Sequence, residues 1–337
     1  YFQVTQVIKK NNDSEKKSKN YFWSQSHNFL QNSDFVINNN QALKLENVVL
    51  HSEGFEKNIM NLFIHGGKGC GKYTLARFYV YLYTDVPNPC LNLETIKYEG
   101  KELEYYRGSK HCELILYKYN FNDTNLIHSF FNTVCHDNQS NVVISKKIII
   151  IKNIENIRKE NMYIIKFYVE KYSCHNAFIF LSCKNIPKEL SGFFTNIRLS
   201  LPTERELYEL GKKLLKEKEI KYSGSDVKKV AKQSKRNMNN FINLLELSYL
   251  SGKYHEIKDS QESKFLFLYK LLKKKNIKTI LMIREILTEL VTENIKSQEL
   301  ITYLLNKFLK SKNVTEDQKG KIADILVQTD LHDIQSF

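Results

Sequence analysis

The chain has 337 residues, of which 42% are hydrophobic and 26% charged, and its 51 Lys plus Arg outweigh 37 Asp plus Glu to give a formal net charge of +14. That length exceeds what one core commonly supports, so two or three domains are expected, and the composition excludes a mainly disordered chain. No apolar run approaches the roughly 18 residues of a membrane-spanning helix, while the basic excess favours a polyanionic partner, nucleic acid or an acidic protein, over a merely solvated basic surface.

In chain order, the polar run Lys9 to Asn20 marks residues 1–22 as a flexible arm. The only tryptophan, Trp23, opens the first folded domain, expected over 23–201. Asn38-Asn39-Asn40 reads as a helix start, because Asn caps free N–H groups, and Ala42, Leu45, Val48 and Val49 follow at helical spacing. Asn61 to His65 is a short apolar strand. A helix is expected from about Lys72 to Tyr83, strands within 91–120, and a helix over Asp123 to Thr133. Lys147 to Ile151 is a strand, Lys159 to Tyr172 a helix, Ala177 to Cys183 a strand, and Ile197 to Leu201 a last strand stopped by Pro202. Strands alternating with helices define an α/β class with a parallel sheet.

Beyond Pro202 the pattern is purely helical. Thr203 and Glu206 have the spacing of a capping box. Asp226 begins a second helix and Asn237 precedes a third, giving a small helical lid domain over 202–255. An all-α domain is expected over 256–337, where Ile283, Ile286, Leu287 and Leu290, then Ile301, Leu304, Leu305 and Phe308, form stripes that read as bundle core. The Lys273-Lys274-Lys275 run reads as solvated surface. The six cysteines, Cys70, Cys90, Cys112, Cys135, Cys174 and Cys183, contain no C-x-x-C pair and read as reduced thiols, not a zinc site.

The strongest chemical signal is Gly66-Gly67-Lys68-Gly69-Cys70-Gly71-Lys72-Tyr73-Thr74, between a strand and a helix. The G-x-x-x-x-G-K spacing lets backbone N–H groups turn around phosphates. Lys72 then reaches toward the outer phosphates, and the helix N-terminus adds positive potential. ATP or ADP is the cofactor this pattern points to; the alternative is a vestigial loop. The position after the lysine normally carries a Ser or Thr whose hydroxyl meets Mg²⁺. Here it is Tyr73, with Thr74 one residue late, so Mg²⁺ binding is in doubt. A hydrolytic site also needs Asp then Glu after the second strand, to hold the metal and polarise water. Lys152 and Asn153 stand there, with Glu155 two positions on. No catalytic residue is assigned, and the chain is expected not to hydrolyse ATP itself.

These features, taken together with others in order along the chain, resemble the AAA+ clamp-loader small subunits of the replication factor C family, most closely the small subunit that does not hydrolyse. The lysine followed by a residue other than Ser or Thr, then Thr74, is similar to that subunit. Further stretches that carry the resemblance are Trp23, Gln41 to Val49, Lys101 to Glu104 continuing through Leu116, Glu170-Lys171-Tyr172, Ser234 to Met238 in the lid, and Ile283 to Phe308 in the collar. Departures are equally plain. Gln25-Ser26-His27-Asn28 replaces a basic-aromatic motif. The sensor position falls on Lys184, with Asn185 adjacent. The arginine finger falls on Asn196, with Arg198 expected in the next strand, and the lid arginine falls on Asn239.

The resemblance implies an AAA+ α/β domain with a helical lid and an all-α collar, in a hetero-oligomer expected to be a pentamer of replication factor C-like subunits. It implies a sliding clamp and primer–template DNA as partners, no membrane, and a nuclear location, a viral replication compartment or organelle being the other settings. Arg158, Lys159 and Lys166 are the candidate DNA contacts, reaching phosphates without reading sequence; an ordinary solvated helix face is the alternative. Other functions weighed are an active P-loop ATPase of the origin-recognition or helicase-loader type, and a shared adaptor in an alternative clamp-loading or checkpoint complex.

Overall fold

A computed structural model describes residue 23 and residues 34–50, 59–86, 91–98, 100–116, 124–136, 146–251, 260–273, 276–292, 297–311 and 315–324. The expected arm over 1–22, the Gln25–Asn28 stretch, Cys90, Lys274 and Lys275 lie outside the described residues. Backbone contacts divide the chain into two compact units, Tyr1–His255 and Glu256–Phe337.

The first unit is built on a seven-stranded sheet of β1 (Leu62–Gly66), β2 (Asn92–Tyr98), β3 (Lys101–Arg107), β4 (His111–Ile115), β5 (Lys147–Lys152), β6 (Asn176–Ser182) and β7 (Thr195–Leu199). Their order across the sheet is β2-β3-β4-β5-β6-β1-β7. Five strands, β4, β5, β6, β1 and β7, run parallel. Ile148 to Ile151 and Ala177 to Leu181 are buried without alternation, as strands covered on both faces must be. At one edge, β2 and β3 form an antiparallel hairpin that joins β4, so the sheet is mixed and not purely parallel. The opposite edge strand starts two residues earlier than its sequence suggests. Thr195 N–H donates to Asn61 O at 2.9 Å, which puts Asn196 and Arg198 on one strand, β7.

Helices α1 (Asn39–Leu50) and α2 (Lys72–Thr84) cover one face of the sheet, and α3 (Thr124–His136) and α4 (Lys159–Tyr172) the other. The period of two in β5 sorts the residues. Ile148 and Ile150 pack under α1 and α2, Ile149 and Ile151 under α3 and α4. Asn38 does not cap α1 with its side chain. It takes a left-handed φ of 58°, and its amide bridges Cys70 O at 3.3 Å and Ser200 at 3.0–3.2 Å.

The lid consists of α5 (Glu204–Glu217), α6 (Gly224–Gln233) and α7 (Met238–Ser251). The capping box at Thr203 and Glu206 forms in both directions. The second helix starts at Gly224, two residues before Asp226. Leu207, Leu214, Val227, Phe241 and Leu245 make the lid core. Trp23 belongs to this cluster, and its backbone N–H donates to the Glu246 carboxylate at 3.1 Å.

The second unit contains α8 (Ser260–Leu272), α9 (Ile277–Thr292), α10 (Ser297–Leu309) and a helix over 316–324. Phe265 meets Tyr303 at a tilt and Tyr269 meets Phe308 edge-on, with ring centres 5.3 and 4.9 Å apart. The stripe expected as bundle core is only partly covered. Leu290 is buried, Ile283 and Ile286 half-buried, and Leu287 exposed, while Ile280 and Leu281 of the same helix stand 62% and 64% exposed.

Two substitutions test this core and its caps. Phe241→Ala should cost about 3–5 kcal/mol through the cavity it leaves, and Thr203→Ala about 1 kcal/mol through the lost cap, both read by urea denaturation followed by far-UV circular dichroism.

Candidate functional site

The glycine-rich loop leaves the end of β1, which is buried between β6 and β7. Gly69 and Gly71 hold left-handed φ angles of 73° and 91°, where a side chain is strained. A Cβ on Gly69 would also fall 2.0 Å from Asn237 Oδ1. Lys72 opens α2 and folds back over the loop, donating to Gly66 O and Gly67 O, both at 2.8 Å. Its Nζ lies 3.6 Å from Cys183 Sγ.

The corner that normally holds the metal is built differently. Glu113 on β4 faces Ile150 across the sheet, so it shares the α2 side with Lys152, two residues further along β5. Tyr73, one residue into α2, is held over the same spot. Lys152 Nζ sits 2.7 Å from Glu113 Oε2, with side chains 18% and 2% exposed. The Tyr73 hydroxyl donates to both Glu113 oxygens at 3.1 Å, and Lys152 Nζ lies 3.5 Å from the Tyr73 ring centre. His111 Nε2 completes the shell at 3.6 Å, and the Arg77 guanidinium lies 5.9 Å from the Tyr73 ring centre.

The electrostatics follow from burial and partners. Burial pushes the Glu113 carboxyl up, but its hydrogen bond with His111 and the charge and hydrogen bond of Lys152 outweigh this and hold it at about 2. The Tyr73 phenol is raised by burial and by the Glu113 charge. Glu113 is thus an ionised carboxylate whose oxygens are engaged by Tyr73 and Lys152, with the His111 ring beside it.

Mg²⁺, which a loop of this kind implies, needs hard oxygen donors in octahedral array. The donor set here does not fit it. The hydroxyl at the first position is a phenol committed to Glu113. An ammonium replaces the carboxylate at the end of β5. Thr74, one residue after Tyr73, lines a different cleft. Asn153 takes a left-handed φ of 60° and offers an amide where a base would stand. Glu155 lies in the 3-10 turn Ile154–Asn156. Among the described residues no cluster of His, Cys, Asp and Glu could hold a metal.

Two clefts flank the loop. One is apolar and lies among Phe35, Ile37, Thr74, Leu210 and Met238. The other is polar and opens beside His65, Gly66, Asn185, Arg198 and Arg236. Burial, then the charges of Arg198 and Lys72, lower the His65 pKa. Arg236 is steadied by Pro202 O at 3.0 Å and Leu201 O at 3.3 Å. The lid meets the loop directly, Met238 N–H donating to Gly69 O at 2.9 Å.

The structure brings Lys72, Tyr73 and Lys152 to one end of the parallel strands. Asn185, not Lys184, lines the polar cleft. Asn196 is exposed on β7, and Asn239 is exposed in the first turn of α7, next to Met238. Arg158 caps α4 from outside and Lys159 begins it, both exposed. Lys166 is 3.8 Å from Glu170 and 5.6 Å from the Phe193 ring centre, so part of its charge is already answered. Glu113 and His111 were not among the residues expected at the site; Arg236, Asn237 and Met238 fall in the stretch expected as the lid motif, and Arg198 lies in the strand expected for it. The signal for Glu113 was an acid amid the apolar strand His111-Cys112-Glu113-Leu114-Ile115.

Five parallel strands in the order β4-β5-β6-β1-β7, a phosphate-type loop after β1 and a helical lid against that loop define an α/β P-loop domain of AAA+ architecture. No family model and no curated protein matches the chain. Solved structures do match it. The Thermotoga maritima RuvB Holliday junction branch migration motor is 13% identical, with a TM-score of 0.47, over 81% of this chain and 76% of that one. A point mutant of the same motor is 12% identical, with a TM-score of 0.48, over 84% and 80%. Domain III of the Thermotoga maritima replication initiation protein DnaA is 15% identical, with a TM-score of 0.45, over 68% and 93%.

Glu113→Gln leaves the Lys152 ammonium buried without its carboxylate and should cost about 3–5 kcal/mol in urea denaturation, most of which the added change Lys152→Met restores. Because the folded Glu113 pKa is depressed to about 2 from 4.5, its contribution is complete above about pH 4.5 and is lost as pH falls from there toward 2. Wild type but not the double variant should show this acid-side loss in pH-dependent melts.

Proposed function

We propose that the chain is a nucleotide-binding, non-hydrolysing subunit of an AAA+ assembly that acts on nucleic acid, of the clamp-loader kind. In that role it would help a replication factor C-like pentamer open a sliding clamp and place it on primer–template DNA, with a nuclear location. One observation carries the non-hydrolysing part. The Glu113–Lys152–Tyr73 cluster stands where a hydrolytic site keeps its metal ligands, while the loop retains its glycines and Lys72. The clamp-loader part is supported by the sequence resemblance over most of the chain.

Two surface features support work in an assembly on DNA. Ile280, Leu281 and Met282 expose apolar area on one stretch of α9, of the kind that other subunits cover in an oligomer. The net charge of +14 and the exposed Arg158 and Lys159 at the start of α4 suit contact with phosphates of any sequence.

Native mass spectrometry of the tagged chain from its source cells should show a discrete assembly of about five AAA+ chains; a lone monomer at low salt would sink the proposal. The isolated chain should release no phosphate from ATP with Mg²⁺ above a no-protein control, and measurable turnover would revive the active-ATPase reading.

A further inference from the structure

Resting on the reading that the loop takes a nucleotide, we infer that it takes a nucleoside di- or triphosphate without Mg²⁺, the phosphates being met by Lys72, Arg198 and Arg236. The metal corner is closed by the chain's own ammonium, Lys152.

A divalent cation at this corner would meet a carboxylate already occupied. Both Glu113 oxygens are engaged, one by Lys152 at 2.7 Å and both by the Tyr73 hydroxyl at 3.1 Å, and His111 stands 3.6 Å away. To recruit Glu113, a metal would have to expel a buried ammonium and leave it without a counter-ion. Arg77, on the Tyr73 ring, adds a second positive charge at this corner. Thr74, the nearest aliphatic hydroxyl in sequence, faces the apolar cleft instead.

Positive charge is supplied from the other side. Arg198 and Arg236 both line the polar cleft beside Gly66 and Gly67, and Lys72 rests on the carbonyls of those two glycines. These carbonyl contacts are what the ammonium exchanges for phosphate oxygens. Arg198 is on β7 because that strand pairs with β1 in the register His65 to Arg198. Arg236 arrives from the lid, in a left-handed backbone conformation with φ of 62°. Guanidinium groups match phosphate oxygens with directed N–H pairs. Fixed cations of this kind attract a free nucleotide more strongly than its magnesium complex, which carries less negative charge. Magnesium therefore competes with the site for nucleotide instead of assisting it.

The test is calorimetric titration of ADP into the nucleotide-stripped full-length chain, once with EDTA and once with excess Mg²⁺. The expected result is an affinity in EDTA equal to or tighter than that in Mg²⁺, and a loss of about tenfold in both buffers for Arg198→Ala, an exposed edge-strand position. Tighter binding in Mg²⁺ overturns the inference and leaves nucleotide binding standing. An Arg198→Ala chain that binds like wild type overturns the assignment of the phosphate partners. No binding in either buffer, by a chain whose circular dichroism shows it folded, overturns the nucleotide reading and this inference with it.

Discussion

A single buried carboxylate organises this end of the molecule. Glu113 sits in an apolar strand with 2% of its side chain exposed, a position where an unanswered charge would be prohibitive. It is answered from three directions, by His111 on its own strand, Lys152 on β5 and Tyr73 on α2. The contacts therefore join β4, β5 and the helix that follows the phosphate-type loop. A pair of this kind gives little net stability against an apolar alternative, but it tolerates few other arrangements. The same three side chains that fix how α2 sits on the sheet also consume the donors a metal would need.

The loop is shaped from its outer side too. Asn38 reaches Cys70 and Ser200, tying the start of α1 to the loop and to the end of β7. Asn237 and Met238 press the first turn of α7 against Gly69, and Asn237 also caps that turn by accepting from Asn240 N–H at 3.1 Å. Arg236 holds the carbonyls that lead out of the sheet into α5. Lid and loop thus share hydrogen bonds instead of meeting across an open gap, and a displacement of either is felt by the other.

Much of this was legible in the chain itself. The run Ile148 to Ile151 announces a strand buried on both faces, and the glycine spacing from Gly66 to Gly71 announces the loop. The Thr203 and Glu206 pair announces a helix start. Lys152 and Asn153 stand out because the expected residue types are known for those positions. What the chain did not disclose depends on registers between distant strands. Glu113 is two residues out of line with Lys152 only once β4 and β5 are paired. Arg198 comes beside the loop only because β7 pairs with β1. Asn38 looked like a helix cap because Asn so often is one, and tertiary partners at Cys70 and Ser200 outcompeted that local role. The stripe on α9 was legible as apolar, with Leu290 buried, Ile283 and Ile286 half-buried and Leu287 exposed. Helical spacing identifies an apolar face without saying whether this chain or another covers it.

The apolar cleft beside the loop is lined partly by the sheet domain and partly by Leu210 and Met238 of the lid. Because both pieces wall it, the width of this cleft is set by where the lid stands, and a displacement of Leu210 or Met238 away from Phe35 and Leu199 would widen it.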